Sequence, residues 1–289
     1  MKYVTFERDG AAAVGVVTAE RVIALADLVP EAPADMIGVI RAGDGLRDAI
    51  QAALTQTSLQ AIPLASLPLL APIPQPGKFI CMGLNYVEHI REGGKHDRPI
   101  PDYPTLFLRV QSSLIGPADS IRLPRSSSML DYEAEILVVI GRKAHDVPVE
   151  EALDCVFGYS AFNDGSLRDF QRQTGQWTAG KNFDATGPFG PVIVTADELP
   201  PGARDLAVRS RLNGQIMQDG NSSDMIFPVA EIISYVSKVM TLEPGDLIAT
   251  GTPSGVGAAR TPPVFMRDGD VIEVEIEGIP ALRNRVVAA

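Results

Sequence analysis

Residues 130–141, LDYEAEILVVIG, combine two acidic side chains with a run that is typical of a buried strand. Glu133 and Glu135 are two residues apart, and alternate side chains of a strand point to the same face, so both carboxylates emerge together. Residues 136–140 are all apolar, which indicates the interior of a sheet. Two buried, ionised carboxylates at this spacing repel each other, and a hard divalent cation would remove the conflict. The alternative is an edge strand with two solvated glutamates, which is the commoner state of an isolated Glu-x-Glu.

A third carboxylate follows the next apolar strand. Residues 156–162 predict a strand that ends at Asn163, Asp164 and Gly165. A side chain at such a strand end can reach a site at the edge of the sheet. Together with Glu133 and Glu135, Asp164 would complete a set of oxygen ligands without a Cys or His cluster. Such a set favours Mg²⁺ or Mn²⁺, with Ca²⁺ as a further candidate, over Zn²⁺.

Charge and cysteine content exclude several classes of partner. The formal net charge is -11 and the sequence pI is about 4.8, so we expect neither nucleic acid nor an anionic membrane as a partner. An anionic substrate must then be captured locally, by a metal or by a few placed cations. Cys81 and Cys155 lie in apolar stretches and are expected to be free thiols, which suits a reducing cytoplasm. No leader and no apolar stretch of about 20 residues is recognised, so we expect a soluble cytoplasmic protein.

The 289 residues suffice for one large domain with a small appendage, or for two domains. Residues 1–70 predict a separate small α+β domain, with short strands around an Asp9-Gly10 turn followed by two helices. The prolines between residues 63 and 76 favour an extended linker. Residues 71–289 carry every candidate functional group and are expected to form the catalytic domain.

A polar stretch at residues 89–102 follows a short apolar strand. His89 and Glu92 are three apart and would share one face of a helical turn. A solvated surface pair is the commoner meaning of such a spacing. The glycines and the absence of apolar periodicity nevertheless favour a mobile lid, in which His89 would be the best placed general base among three histidines.

Two further segments are weak signals by themselves. Lys181 follows a glycine among small and apolar residues, where a cation could lie close to the acidic cluster, although an isolated lysine is more often on the surface. Residues 250–257, TGTPSGVG, predict a strand that runs into a glycine-rich loop. Such loops can present backbone N–H groups and a hydroxyl to a bound anion, but this one lacks the spacing and lysine of a phosphate loop.

Taken in order, these segments resemble the fumarylacetoacetate hydrolase family over roughly residues 71–287. The resemblance is specific because several short motifs keep their order and spacing. They are GLNY (83–86), DYEAE (131–135), ND (163–164) with RDFQ (168–171), GKNFD (180–184), EPGD (243–246), TGTPSGVG (250–257) and LRNR (282–285).

The resemblance implies an α+β fold that is mainly β: a mixed β-sandwich roll with short flanking helices, plus a small N-terminal α+β domain, usually in a homodimer. It also implies specific roles for site residues. A divalent metal would be held by Glu133, Glu135 and Asp164, with Lys181 beside it. Gln171 and Thr252 would contact substrate oxygens, and His89 with Glu92 would activate water on a lid.

One position departs from the family pattern. Small acylpyruvases of the family often have a lysine where this chain has Arg109, so the cation is kept while its geometry changes. Arg109, Arg168 and Gln171 are therefore candidate substrate-binding residues, and each could serve a second carboxylate or only the surface.

Three functions are consistent with these features. The favoured one is a metal-dependent hydrolase that cleaves the carbon-carbon bond of an acylpyruvate-type 2,4-dioxo acid to pyruvate and a carboxylic acid, in aromatic or sugar-acid catabolism. The alternative is an isomerase or decarboxylase of a 2-oxo or 2-hydroxymuconate-type diacid, which needs the metal and Lys181 but no activated water. The third is a binder of metal or oxo acid without catalysis. Fold does not decide among them.

Overall fold

The computed structural model describes residues 1–56, 60–94 and 97–289. Strands dominate this part of the chain. They are β1 (Lys2–Arg8), β2 (Ala11–Thr18), β3 (Arg21–Ala24), β4 (Ile62–Pro63), β5 (Phe79–Gly83), β6 (Thr105–Leu108), β7 (Leu114–Ile115), β8 (Ile121–Leu123), β9 (Leu130–Asp131), β10 (Ala134–Ile140), β11 (Val156–Asn163), β12 (Ser166–Leu167), β13 (Gly187–Thr195), β14 (Ala207–Leu212), β15 (Gln215–Asn221), β16 (Leu247–Ala249), β17 (Val271–Ile276) and β18 (Ile279–Ala288).

The helices are mostly short and flank the sheets. They are α1 (Leu25–Leu28), α2 (Met36–Gln56), α3 (Val87–Arg91), α4 (Val149–Ala152), α5 (Arg168–Gln171), α6 (Thr178–Lys181) and α7 (Val229–Val239). The two helices predicted in the N-terminal region form the single segment α2, which is broken at Gly43 by a φ of 63°. The segment after Ser166 forms one helical turn, α5.

The strands form one large mixed sheet and one smaller sheet. The large sheet has the order β4-β3-β2-β1-β13-β11-β10-β16-β5-β6, with β7 paired to β13. The smaller sheet has the order β15-β14-β17-β18-β8, and β9 pairs with β12 as a separate ribbon. This arrangement confirms the predicted α+β class with mainly β structure.

Both faces of the central strand β10 are covered. Ile136 and Val138 belong to one apolar cluster, which includes residues of α7 and of the smaller sheet. Leu137 and Val139 belong to a second cluster, which includes residues of α2. The uninterrupted apolar run of β10 is thus explained by burial on both sides. Cys81 is buried in the second cluster, and both cysteines are free thiols, as predicted.

The N-terminal region continues the large sheet. Strand β1 pairs antiparallel with β13, with Tyr3 opposite Ile193. The proline-rich segment runs along the same strand: the N–H of Glu7 donates to the carbonyl of Pro68 at 2.9 Å, and Thr5 Oγ1 donates to the carbonyl of Pro72 at 2.7 Å. The segment predicted as a linker is therefore bound to β1 by hydrogen bonds.

Candidate metal and catalytic site

Antiparallel pairing brings the three predicted carboxylates to one end of the large sheet. Glu133 immediately precedes β10, Glu135 lies within it, and Asp164 follows the last residue of β11. Ala134 is paired with Asn163, and the N–H of Asp164 donates to the carbonyl of Glu133 at 2.9 Å. One oxygen from each of the three buried carboxylates lies within 4.8 Å of the others. The strand spacing and the strand end therefore converge on one acidic cluster.

The electrostatics of this cluster fit a divalent cation. Burial raises the pKa of Glu135 well above its ordinary value, and the charges of Asp164 and Glu133 raise it further. Its contact with the protein is a hydrogen bond from the N–H of Gly251, at 2.9 Å, and within the described residues it forms no ion pair. An all-oxygen donor set with one carboxylate that lacks a cation suits Mg²⁺ or Mn²⁺.

Lys181, at the end of α6, already neutralises the other two carboxylates. Its Nζ donates to Glu133 Oε2 and to Asp164 Oδ2, both at 2.5 Å. Burial lowers the pKa of the Lys181 ammonium, but Asp164 and Glu133 raise it more, so the net shift is upward and the side chain remains a cation. The glycine before it permits this approach, because a Cβ at Gly180 would lie 2.5 Å from Gln171.

Arg168 is a second buried cation of the cluster. Its Nη2 lies 2.7 Å from Glu133 Oε1, and its Nη1 donates to Gln171 Oε1 at 2.9 Å. Burial would raise the pKa of Glu133, yet Lys181 and Arg168 together hold it below its usual range. Arg168 and Gln171 also line the cavity described below, so both are in a position to meet a ligand.

The His89–Glu92 pair exists as a contact. His89 lies in α3 and Glu92 directly follows it, and His89 Nδ1 shares a hydrogen bond of 2.5 Å with Glu92 Oε1. Both side chains are about 15% exposed, which excludes a fully solvated pair. The histidine is near enough to lower the pKa of Glu133 through its charge. Lys95 and His96, part of the stretch predicted as a lid, lie outside the described residues.

The glycine-rich loop is bound to carboxylates of the protein itself. The N–H of Gly251 donates to Glu135 Oε2 at 2.9 Å, and the N–H of Gly255 donates to Glu92 Oε2 at 2.7 Å. The sequence had suggested that such N–H groups meet a bound anion, and here the anions are side chains. The loop thereby joins the acidic cluster to the partner of His89.

Asp131 extends this network and was given no role from the sequence. Its two oxygens accept the N–H groups of Gly257 and Ala258 at 2.7 and 2.9 Å. One of them also accepts a hydrogen bond from Nε of Arg168 at 2.8 Å. Asp131 is fully buried, so it fixes both the loop and the guanidinium of Arg168.

Thr252 and Gln218 form the other support of the loop. Thr252 Oγ1 donates to the carbonyl of Ala134 at 2.9 Å and accepts from Nε2 of Gln218 at 2.7 Å. Gln218 is 1% exposed and also accepts the N–H of Ala134 at 3.0 Å. Thr252 lines the cavity, whereas Gln218, which sequence reasoning missed, positions it from behind.

Arg109 lies among protein groups and does not line the cavity. Its guanidinium pairs with Asp164 and donates to Thr186 Oγ1 at 2.7 Å and to Ser113 Oγ at 3.2 Å. A Cβ at Gly187 would lie 2.9 Å from it, so the guanidinium packs against backbone. Substrate binding was predicted for Arg109, but its position favours support of Asp164.

These groups surround a cavity of about 310 Å³. Its polar wall includes His89, Glu133, Glu135 and Lys181. Its apolar wall consists of aliphatic and aromatic side chains, namely Met82, Phe107, Trp177 and Val256. The volume is at the lower end of the roughly 300–1,000 Å³ of ligand sites, which indicates a small ligand.

Comparison with known proteins places this site in a family. The family description "Fumarylacetoacetate (FAA) hydrolase C-terminal" matches residues 78–287. The chain belongs to the fumarylacetoacetate hydrolase family. The resemblance inferred from the motifs is thereby confirmed, and the chain is an enzyme of this family.

Relatives in the fumarylacetoacetate hydrolase family have different activities. A mitochondrial oxaloacetate tautomerase of Xenopus laevis is 40% identical over 260 residues, which cover 89% of this chain and 80% of that protein. A maleylpyruvate hydrolase from Sphingobium sp. SYK-6, solved in complex with manganese(II) ion and pyruvate, has a TM-score of 0.83 at 34% identity, with both chains covered to 100%. A 5-carboxymethyl-2-hydroxymuconate delta-isomerase from Mycobacterium smegmatis has a TM-score of 0.77 at 32% identity, again over 100% of both chains.

Among the described residues, no helix is both long enough and apolar enough to span a bilayer.

Proposed function

We propose that this enzyme interconverts the keto and enol forms of oxaloacetate or a closely similar 2-oxo diacid, with a divalent metal at Glu133, Glu135 and Asp164. The observation that carries the proposal is one cavity that is lined by His89, by Glu133 and Glu135 of the acidic cluster, and by Lys181. The oxaloacetate tautomerase of Xenopus laevis, at 40% identity, supports this substrate. The predicted alternative, an isomerase or decarboxylase of 2-oxo diacids, belongs to the same class of enolate chemistry.

The charge of the enolate would be stabilised electrostatically. When bound, Mg²⁺ or Mn²⁺ would act as a Lewis acid toward the 2-oxo and carboxylate oxygens of the substrate. Lys181 remains cationic because Asp164 and Glu133 outweigh the effect of burial on its pKa. A fixed cation close to a developing oxyanion lowers the barrier without any proton transfer by the cation.

The proton would be moved by His89. Glu92 holds Nδ1, which leaves Nε2 as the nitrogen that can exchange a proton with substrate. In the keto form, His89 takes a proton from the methylene carbon next to the 2-oxo group, and protonated His89 then returns this proton to the oxygen of the resulting enolate. The reverse sequence restores the ketone. No water is consumed and no carbon-carbon bond is broken, so a single acid-base group suffices.

Acylpyruvate hydrolysis, the reaction favoured from the sequence, is the second candidate. The same hydrogen bond between His89 and Glu92 suits activation of a water molecule. Hydroxide would add to the distal carbonyl, the carbon-carbon bond would break, and pyruvate would leave as its enolate. The solved maleylpyruvate hydrolase with bound pyruvate supports this reaction for a similar fold.

The test compares two substrates under identical conditions. The ultraviolet absorbance of enol-oxaloacetate and of acetylpyruvate would be followed with Mg²⁺, with Mn²⁺ and with chelator. We expect metal-dependent acceleration of oxaloacetate ketonisation and a loss of at least about a hundredfold in kcat for His89→Ala. Exposed His145 provides the matched control, because His145→Ala removes a histidine outside the cavity and should retain activity.

Each result has a defined meaning. Metal-dependent release of pyruvate from acetylpyruvate without any effect on oxaloacetate would replace the tautomerase proposal by hydrolysis. Tight binding of Mg²⁺ without turnover of any 2-oxo acid would leave a binding protein. Full activity of His89→Ala would refute the role given to the His89–Glu92 pair in both reactions.

Homodimerisation and a cytoplasmic location remain part of the proposal. The first follows from the family resemblance and the second from two free thiols. Light scattering of the purified protein would test the first, and localisation of the tagged chain would test the second.

A further inference from the structure

The lining of the cavity has more cations than carboxylates, although the chain as a whole is strongly acidic. Four lining residues are cations, Arg98, Arg168, Arg172 and Lys181, against three glutamates, Glu92, Glu133 and Glu135, whereas the formal net charge of the chain is -11. A bound divalent ion would add two further positive charges. Such a site attracts an anion that carries more than one negative charge.

Two of the four cations form ion pairs with carboxylates of the protein. Lys181 is bound by Glu133 and Asp164, and Arg168 is bound by Asp131 and Glu133. These contacts balance the acidic cluster and leave little of either cation for a distant group of the substrate.

The other two cations lack such contacts. Within the described residues, neither Arg98 nor Arg172 forms an ion pair or a side-chain hydrogen bond, in contrast to the neighbouring Arg168. Arg172 directly follows α5 and is four residues after Arg168, so both project from the same side of that turn. Arg98 comes from the segment between α3 and β6, and both arginines are exposed where they border the cavity.

We infer that Arg98 and Arg172 bind the distal carboxylate of the substrate and select diacids over monoacids. The inference rests on the proposed function, in which the 2-oxo acid end of the substrate lies at the acidic cluster. Guanidinium groups bind carboxylates in bidentate geometry, which suits recognition of a terminal carboxylate. With a volume of about 310 Å³, the cavity limits the chain between the two carboxylates to a few carbons.

The apolar wall makes the two arginines necessary for this selection. Phe107, Trp177 and Val256 would accept a methyl group as readily as they accept the carbon chain of a diacid. Without a cation at the far end, a monoacid and a diacid would differ little in affinity. The preference should therefore depend on Arg98 and Arg172 and not on the shape of the cavity.

The experiment measures binding and not turnover. Trp177 is the single tryptophan of the chain and lines the cavity, so its fluorescence reports ligand entry. The Mg²⁺-loaded full-length protein would be titrated with 2-oxoglutarate and with 2-oxopentanoate, which differ only in a terminal carboxylate or methyl group. The variants are Arg98→Gln, Arg172→Gln and the double variant, and the control is Arg142→Gln, an arginine 70% exposed outside the cavity.

We expect the unmodified protein to bind 2-oxoglutarate at least about tenfold more tightly than 2-oxopentanoate, as one charge-assisted contact provides. The double variant should lose most of this preference through weaker binding of the diacid, while its affinity for the monoacid changes by less than about twofold. Arg142→Gln should retain the preference.

Equal affinity of the unmodified protein for both acids, or an undiminished preference in the double variant, would overturn the inference. The outcome is separable from that of the proposed function. If oxaloacetate is not turned over but the preference depends on the two arginines, the diacid site stands and the tautomerase proposal fails.

Discussion

Replacement of Arg109 by methionine removes the guanidinium that pairs with Asp164 while keeping most of the side-chain volume. The side chain of Arg109 is 0% exposed and that of Asp164 is 1% exposed, so water cannot replace the lost contact. The hydroxyls of Thr186 and Ser113 and the carbonyl of Gly165 lose a donor as well.

The expected cost follows from this geometry. Removing one partner of a buried ion pair destabilises a protein by about 3–5 kcal/mol. At roughly 2 °C per kcal/mol for a chain of this size, Tm should fall by about 6–10 °C. Arg109→Lys keeps the positive charge but loses the planar set of N–H donors, and should lower the free energy of unfolding by about 1–2 kcal/mol.

The metal provides a second readout. Asp164 belongs to the acidic cluster, so a divalent ion can supply part of the positive charge that Arg109→Met removes. Saturating Mg²⁺ should therefore raise the free energy of unfolding more in the variant than in the unmodified protein. Urea unfolding with Mg²⁺ and with chelator measures both quantities.

The control is Arg283→Met, because Arg283 is 66% exposed in its pair with Glu273 and should contribute little. The reasoning is refuted if Arg109→Met unfolds at the same urea concentration as the unmodified protein, or if Mg²⁺ stabilises both equally.

Two further substitutions test other parts of the site. Burial and the charges of Asp164 and Glu133 raise the pKa of Glu135. Without metal, the folded chain therefore keeps a proton on Glu135 that the unfolded chain loses above about pH 4.5. Because the folded state then binds more protons, its stability falls as pH rises. In chelator at about pH 8, the Glu135→Gln variant should be more stable than the unmodified protein, but Mg²⁺ should not stabilise the variant further. Identical thermal unfolding curves of the variant and the unmodified protein in chelator would contradict this. Gln218→Leu should lower the free energy of unfolding by about 2–4 kcal/mol and raise KM with little change in Mg²⁺ affinity, because Thr252 loses its hydrogen-bond donor. The control is Gln215→Leu, which replaces an exposed glutamine on the same strand.

Local patterns were sufficient to predict the acidic cluster. The two-residue spacing of Glu133 and Glu135 fixes their common side, and antiparallel pairing of two neighbouring strands then brings Asp164 to the same end. Lys181 and the His89–Glu92 contact were expected mainly from the order of family motifs, since each spacing by itself is common.

Contacts between distant segments were not predictable in this way. Gln218 bonds Ala134 across 84 residues, and Asp131 bonds the loop across more than 120 residues, so no periodicity indicates either. The sequence alone does not show whether a guanidinium faces a cavity, as those of Arg98 and Arg172 do, or a buried carboxylate, as that of Arg109 does. The position of the Arg109 guanidinium depends on hydrogen bonds to Ser113 and Thr186, which come together only when the chain is folded.

The glycine-rich loop restricts how this enzyme can diverge. A Cβ at Gly255 would lie 2.3 Å from the carbonyl of Met217, and one at Gly257 would lie 1.8 Å from that of Val264. Substitution at either glycine would displace N–H groups that hold Glu92 and Asp131, and proton transfer and charge balance would suffer together. The glycine-rich loop is therefore expected to tolerate few substitutions. New substrates are more readily accommodated by changes at exposed side chains of the cavity lining, such as Arg98 and Arg172, which form no ion pair within the described residues.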